Sequence, residues 1–246
     1  MASPRSPLRL AAAFVAALLG IAATISLGTW QLRRAAEKTA LEETWDAALN
    51  GAPQIVRDTA DVDAVAASVP RRVRVRGQFD HAHTWWLDNR PLEGRAGFLV
   101  VAPLRVDGAG RIVLVIRGWA PRDPLDRTHL PAIGLPGGVV EMEGIAIAEV
   151  PRVYELGSPG AGPIRQNLDL KDAAAELEAP VAPFVIQQIT AVDDGLVRRW
   201  APPASGVERN RGYAFQWFSL AALITVLLVV FGTRSLRARS RMGRMA

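Results

Sequence analysis

Arg209-Asn210-Arg211-Gly212-Tyr213-Ala214-Phe215-Gln216-Trp217-Phe218 opens the last long apolar run of the chain, and its reading decides the architecture of everything before it. From Gly212 to Thr233 there is no charged side chain. A helix over those residues, rising about 1.5 Å per residue, crosses roughly 30 Å of hydrocarbon. Asn210, Tyr213 and Trp217 are spaced i, i+3, i+7, so such a helix carries them on one face, at the depth where amphipathic aromatics settle. A second uncharged block runs from Leu10 to Leu32. The two blocks predict transmembrane helices over residues 10–32 and 212–233.

Each block has a rival reading. Arg5 and Arg9 ahead of the first suggest a cleaved signal peptide. The run is longer than the roughly 7–15 residues of an h-region, and no A-x-A-like site follows it before the helix-forming Gln31–Leu49 segment. For the second block the rival is a buried core helix. Its density of Leu, Ile, Val and Phe and the five arginines directly behind it favour a membrane span.

Charge sets the orientation. The 246 residues carry 29 Lys and Arg against 24 Asp and Glu, a net charge of +5. No acidic residue precedes Glu37 or follows Glu208, while the flanks hold Arg5, Arg9, Arg234, Arg237, Arg239, Arg241 and Arg244. Removing those seven leaves 22 basic against 24 acidic residues, or −2 between the flanks. The positive-inside rule then predicts that both termini, residues 1–9 and the basic tail 234–246, are cytoplasmic, and that residues 33–211 form a periplasmic (extracytoplasmic) domain. Arg33, Arg34 and Lys38 argue the other way, but the C-terminal cluster is larger and long domains translocate largely regardless of charge.

The basic excess is thus a topology signal, and nucleic acid is not an expected partner. The one comparable cluster inside the domain, Arg71-Arg72-Val73-Arg74-Val75-Arg76, alternates with period two, as a half-buried strand with a charged outer side does. The chain has no cysteine, which removes disulfides, thiolate metal sites and thiol catalysis together.

Helix formers continue from Trp30 to Trp45 past the first block, and Asn50-Gly51-Ala52-Pro53 closes that helix. Strand-like runs follow at Val73–Phe79, Thr84–Asp88, Phe98–Val106, Ile112–Trp119, Val139–Ala148 and Phe184–Ile189, with a short helix at Leu170–Glu178. Strands without alternating helices predict an antiparallel sheet or small barrel. The expected fold class is therefore an α+β membrane protein in which two transmembrane helices flank a mainly antiparallel β domain. His81 and His83 at i, i+2 share a face if they lie on a strand, yet no third metal ligand stands at a diagnostic spacing. Ser158 and Ser205 lack a nucleophile-elbow context, and Asp193-Asp194 before Gly195 reads as a turn. No catalytic residue and no metal site is expected, which favours a binding or assembly protein over an enzyme.

Several motifs stand in series along nearly the whole chain. They are Gly28-Thr29-Trp30-Gln31 with Arg34 and Lys38, Arg76-Gly77-Gln78-Phe79-Asp80, Pro103-Leu104, Val115-Ile116-Arg117-Gly118-Trp119, Gln166-Asn167-Leu168-Asp169 and Tyr213-Ala214-Phe215-Gln216-Trp217-Phe218. In that order between two membrane helices, they resemble the Surf1/Shy1 family of cytochrome oxidase assembly factors. The resemblance implies an inner-membrane protein that assists biogenesis of haem-copper (cytochrome c) oxidase by presenting or stabilising haem a for insertion into subunit I. Implied partners are oxidase subunit I, the haem a synthesis machinery and membrane lipid.

Two positions depart from the pattern. Many family members carry a histidine three residues before the tyrosine of the second-helix motif, the favoured haem ligand, where this chain has Asn210. A carboxamide is a poor donor to haem iron. Ile116 also replaces the asparagine that usually precedes the Arg117-Gly118 pair, which is carried over as a structural motif. A transient haem a site would draw walls and polar contacts from Trp30, Gln31, Tyr213 and Trp217 beside Asn210, with Arg34, Lys38 and Arg211 facing propionates. The plainer reading of these aromatics is an interfacial belt. Beside haem presentation stand a scaffold for nascent subunit I that binds no haem, and an unrelated membrane-tethered sensor domain.

Overall fold

The computed structural model describes residues 7–155, 162–200 and 206–242. Arg5, Ser158, Ser205 and Arg244 lie outside them. In chain order the elements are α1 (Pro7–Asn50), β1 (Gln54–Val56), α2 (Thr59–Ala66), β2 (Arg71–Phe79), a 3-10 turn (His81–His83), β3 (Trp85–Leu87), β4 (Gly97–Val106), β5 (Ile112–Pro121), β6 (Val139–Ile147), β7 (Ile164–Arg165), α3 (Leu170–Glu176), β8 (Val181–Gln188) and α4 (Val207–Met242). The chain divides into two units, a helix pair from the segments up to Glu43 and beyond Pro202, and a domain over Thr44–Ala201.

Both helices of the pair are long and apolar enough to cross a membrane. Small side chains let them approach. Thr24, Ala214 and Ala221 are buried, and the hydroxyls of Thr24 and Thr225 return to the carbonyls of Gly20 and Ala221 at 2.8 Å, which satisfies them within their own helices. Gly28 lies against the Phe218 ring, so closely that a Cβ there would sit 2.8 Å from it. Leu18, Leu19, Phe215, Val226 and Phe231 are exposed, as lipid-facing side chains are.

In the domain the strands follow the order β1-β2-β6-β8-β5-β4-β3-β7, and β2 also pairs with β4. The pairings β2–β6–β8–β5–β4–β2 therefore close a ring. Alternate residues of its strands, among them Val73, Val75, Leu104, Val113, Val115, Met142, Phe184 and Ile186, form one buried cluster. The sheet is mixed, where a mainly antiparallel sheet or small barrel was expected. Among the described residues β1–β2, β3–β7 and β5–β8 pair in parallel, and each brings together segments whose connection is not a hairpin. A second cluster, with Trp85, Leu87, Leu114, Ile116 and Val185, is covered by Ala173 and Leu177 at α3. Ile116 is fully buried there, so its side chain fills an apolar layer.

The arginine alternation of β2 takes the expected form. Val73 and Val75 point into the core, while Arg72 and Arg74 both reach Glu143 on β6, at 2.7 and 2.5 Å, and Arg76 faces Asp107 at 3.6 Å. Hydrogen bonds from Arg74 and then Arg72 hold the Glu143 carboxyl below the usual glutamate range. A depressed folded pKa contributes stability that is complete above the ordinary value, about 4.3, and is lost as pH falls through the lower folded value. Acid unfolding followed by tryptophan fluorescence is expected to show a limb below that pH which Glu143→Gln makes shallower.

Two expectations change. His81 and His83 share no strand face: on the 3-10 turn, His81 Nε2 contacts the Pro136 carbonyl at 2.9 Å and His83 Nδ1 contacts Asp80 at 3.1 Å. Helix α2 has no counterpart among the expected elements. Its start is marked by Asp58, whose side chain accepts from the Asp61 N–H at 2.9 Å, and Val62 and Val65 anchor it in the core.

Candidate functional site

Within the helix pair the polar residues converge on Asn210. Gln31 and Lys38 are seven residues apart on α1, two turns along one face. Asn210 bridges them: its Nδ2 donates to Gln31 Oε1 at 2.6 Å, and its Oδ1 accepts from Lys38 Nζ at 2.9 Å. The amide thus acts as a clasp between the helices, with Ala35 and Ala214 buried beside it. Interhelical hydrogen bonds of this kind contribute about 0.6–2 kcal/mol each.

The other sequence candidates do not join this cluster. Tyr213 and Trp30 are about half exposed, and Trp217 is half-buried. Arg34 pairs with Glu37 at 2.7 Å and Arg211 with Glu208 at 2.8 Å, each three residues away on its own helix. The face that meets α1 runs through Asn210, Ala214, Phe218 and Ala221, four or three residues apart, so Tyr213 lies off it.

In the domain the notable group is Arg117. Ile116 pairs with Val101 and Gly118 with Val100, leaving Arg117 as the extra residue of a β-bulge in β5, a device that re-aims a side chain. Its side chain is 1% exposed, and its guanidinium lies 5.3 Å from the Phe79 ring centre. Nη2 donates to Asp194 Oδ2 at 2.9 Å and to the Gly134 carbonyl at 2.7 Å. Asp194 also accepts from Arg198 Nη2 at 2.6 Å, and its Oδ1 accepts the Leu196 N–H at 3.2 Å. Burial pushes the Arg117 pKa down and Asp194 opposes the shift. Gly118 is needed alongside, because a Cβ there would lie 2.7 Å from Leu196 Cβ. The pair Arg117-Gly118 thus ties β5 to the loop at Gly134 and to the segment 194–198.

The SURF1 family model matches residues 18–222, which takes in most of α1, the whole domain and the first part of α4. The chain belongs to the SURF1 family. Surfeit locus protein 1 of Xenopus tropicalis is 32% identical over 138 residues, 50% of this chain and 44% of that protein. A SURF1-like protein of Rickettsia felis is 27% identical over 223 residues, 84% of this chain and 91% of that protein. The cytochrome oxidase assembly protein SHY1 of Saccharomyces cerevisiae is 30% identical over 112 residues, 45% of this chain and 29% of it. The matched region therefore spans less than half the length of the Xenopus and yeast relatives.

In this SURF1-family chain, motifs from opposite ends of the sequence meet. Gly28 and Gln31 of the first-helix motif contact Phe218 and Asn210 at the second helix. Asp194, by contrast, reads in the sequence as part of a turn and is in fact the counter-ion of Arg117. They stand 77 positions apart in the chain, so no local signal marks the pairing.

Proposed function

We propose that this chain is an assembly factor for cytochrome oxidase. The observation that carries the reading is family membership across residues 18–222, joined to a relative whose name is cytochrome oxidase assembly protein. Two helices of membrane-spanning length support an inner-membrane location. The basic flanks support cytoplasmic termini, with residues 33–211 on the opposite side.

Presentation of haem a to subunit I is the finer reading, and Asn210 bears on it. Both polar atoms of its amide are engaged, one by Gln31 and one by Lys38. A carboxamide is in any case a poor iron donor, and the three histidines of the chain, His81, His83 and His129, all belong to the domain. The helix pair therefore does not fit axial ligation from this position. Its geometry favours a scaffold that meets nascent subunit I through the lipid-facing sides of α1 and α4. Haem contact without ligation is the second reading, supported by exposed Trp30 and Tyr213 and by Arg34 and Arg211, which stand on exposed helix faces.

Purification from cells that make haem a separates the two. The scaffold reading predicts protein that co-purifies subunit I and shows no Soret band, before or after haem titration. A stoichiometric Soret band would move the conclusion to haem presentation. Asn210→Leu, which removes both clasp hydrogen bonds, is expected to lower oxidase activity in a complemented deletion strain, while Tyr213→Phe leaves it near the wild-type level.

A further inference from the structure

Asp88 to Ala96 form the loop that joins β3 to β4. Leu92 and Arg95 exchange main-chain hydrogen bonds of 3.0 Å, with Glu93 (φ 51) and Gly94 (φ 77) between them in the left-handed region, as a tight hairpin turn requires. The hairpin fixes Arg90 from both sides. Its N–H donates to the Gly97 carbonyl at 3.1 Å, and its own carbonyl accepts the indole N–H of Trp119 at 2.6 Å.

The Arg90 side chain is the exception among the buried arginines. The residue is 7% exposed, and Nη2 donates to a neutral acceptor, the Gln166 carbonyl, at 2.8 Å. Nε is buried with no acceptor among the described residues. Nη1 makes no hydrogen bond among the described residues, which leaves it as the nitrogen available to a ligand. The nearby carboxylates are engaged elsewhere, Asp88 with Arg122 at 3.0 Å and Glu93 with Arg199. Burial lowers the Arg90 pKa to about 10, with no carboxylate to offset it, so the group remains charged at neutral pH. Arg117, buried more deeply, has Asp194. An ion taken out of water without a partner of opposite charge is destabilising. Two further features belong to the same part of the domain: the Gln166 amide oxygen is buried without a donor among the described residues, and Arg95 lies exposed over the Trp119 ring at 5.9 Å. Arg95 has no ion pair among the described residues.

We propose that Arg90 anchors a carboxylate-binding site on the domain, with Arg95 at its rim. A single uncompensated positive charge is neutralised by one monoanion, and a charge-assisted hydrogen bond from Nη1 suits a carboxylate oxygen. The carboxylate is a free acid or an acidic side chain of a partner polypeptide, and the site does not depend on the oxidase reading.

Thermal melting of the full chain in detergent tests this, with sodium acetate exchanged for sodium chloride at constant ionic strength. Acetate is expected to raise the melting temperature saturably in the wild type. Arg90→Met is expected to weaken the apparent acetate affinity about tenfold or more while melting no lower in chloride. Arg90→Lys keeps the charge but not the guanidinium geometry and is expected to fall between, and it serves if the Met variant does not fold. Arg105→Gln, at a side chain 60% exposed, is expected to keep the full response. A glutamate-rich peptide that binds at least about tenfold more tightly than acetate identifies a polypeptide source; equal affinity per carboxylate identifies a free acid. No acetate response in the wild type, an undiminished response in both Arg90 variants, or an equal effect of inorganic phosphate would overturn the proposal.

Discussion

Asp194→Ala is expected to lower the unfolding free energy of the domain by about 3–5 kcal/mol, the usual cost of stranding a buried charge. Asp194 is the carboxylate that serves both Arg117 and Arg198, with side chains 3%, 1% and 8% exposed respectively. Removing it leaves two guanidinium groups side by side in a site that excludes water, and their mutual repulsion adds to the loss. Arg117→Met is expected to be much milder. It removes the more deeply buried charge, leaves Asp194 paired with Arg198, and places an apolar chain against Phe79. The asymmetry is the diagnostic feature, because a generic packing defect would make the two substitutions comparable. Denaturant unfolding of the full chain, followed by tryptophan fluorescence, gives both values.

Gly77→Ala is expected to prevent stable closure of the ring. Gly77 faces Val106 where β2 pairs with both β6 and β4, and a Cβ there would lie 2.2 Å from the Arg105 carbonyl oxygen and 2.9 Å from its carbonyl carbon. Those are main-chain atoms in a paired strand, so they cannot rotate away as a side chain would. Overpacking in a core typically costs about 1–3 kcal/mol, and a backbone clash belongs at or above the top of that range. The expected readout is loss of the near-ultraviolet dichroism of the domain with the helical far-ultraviolet signal of α1 and α4 retained. Gly94→Ala, where a Cβ meets nothing within 4 Å, is expected to show only the modest cost of its positive φ.

The features that follow from local pattern were legible in the sequence. Uncharged runs gave α1 and α4, the Arg and Val alternation gave the two faces of β2, and the strand runs fall within three residues of the observed β2, β3, β4, β5, β6 and β8. Elements that depend on distant partners were not. β1 and β7 have three and two residues, too few for any periodicity, and exist because β2 and β3 offer an edge to pair with. The ring closure and the bulge at Arg117 are properties of register, which no single strand encodes.

The helix pair shows the same division. Spacing placed Asn210, Tyr213 and Trp217 on one helical face, but which part of that face meets α1 depends on where small residues permit approach. Gly28 and Ala214 decide it in favour of Asn210 and Phe218. The positions Gln31 and Lys38 were candidates by motif, and their joint engagement of Asn210 is visible only once the two ends of the chain are brought together.

Deleting the gene and measuring cytochrome oxidase activity in isolated membranes tests the assembly function most directly. Activity should fall severalfold and return when the wild-type chain is supplied in trans, with haem a synthesis intact by pigment extraction. Unchanged oxidase activity in the deletion strain would contradict the account.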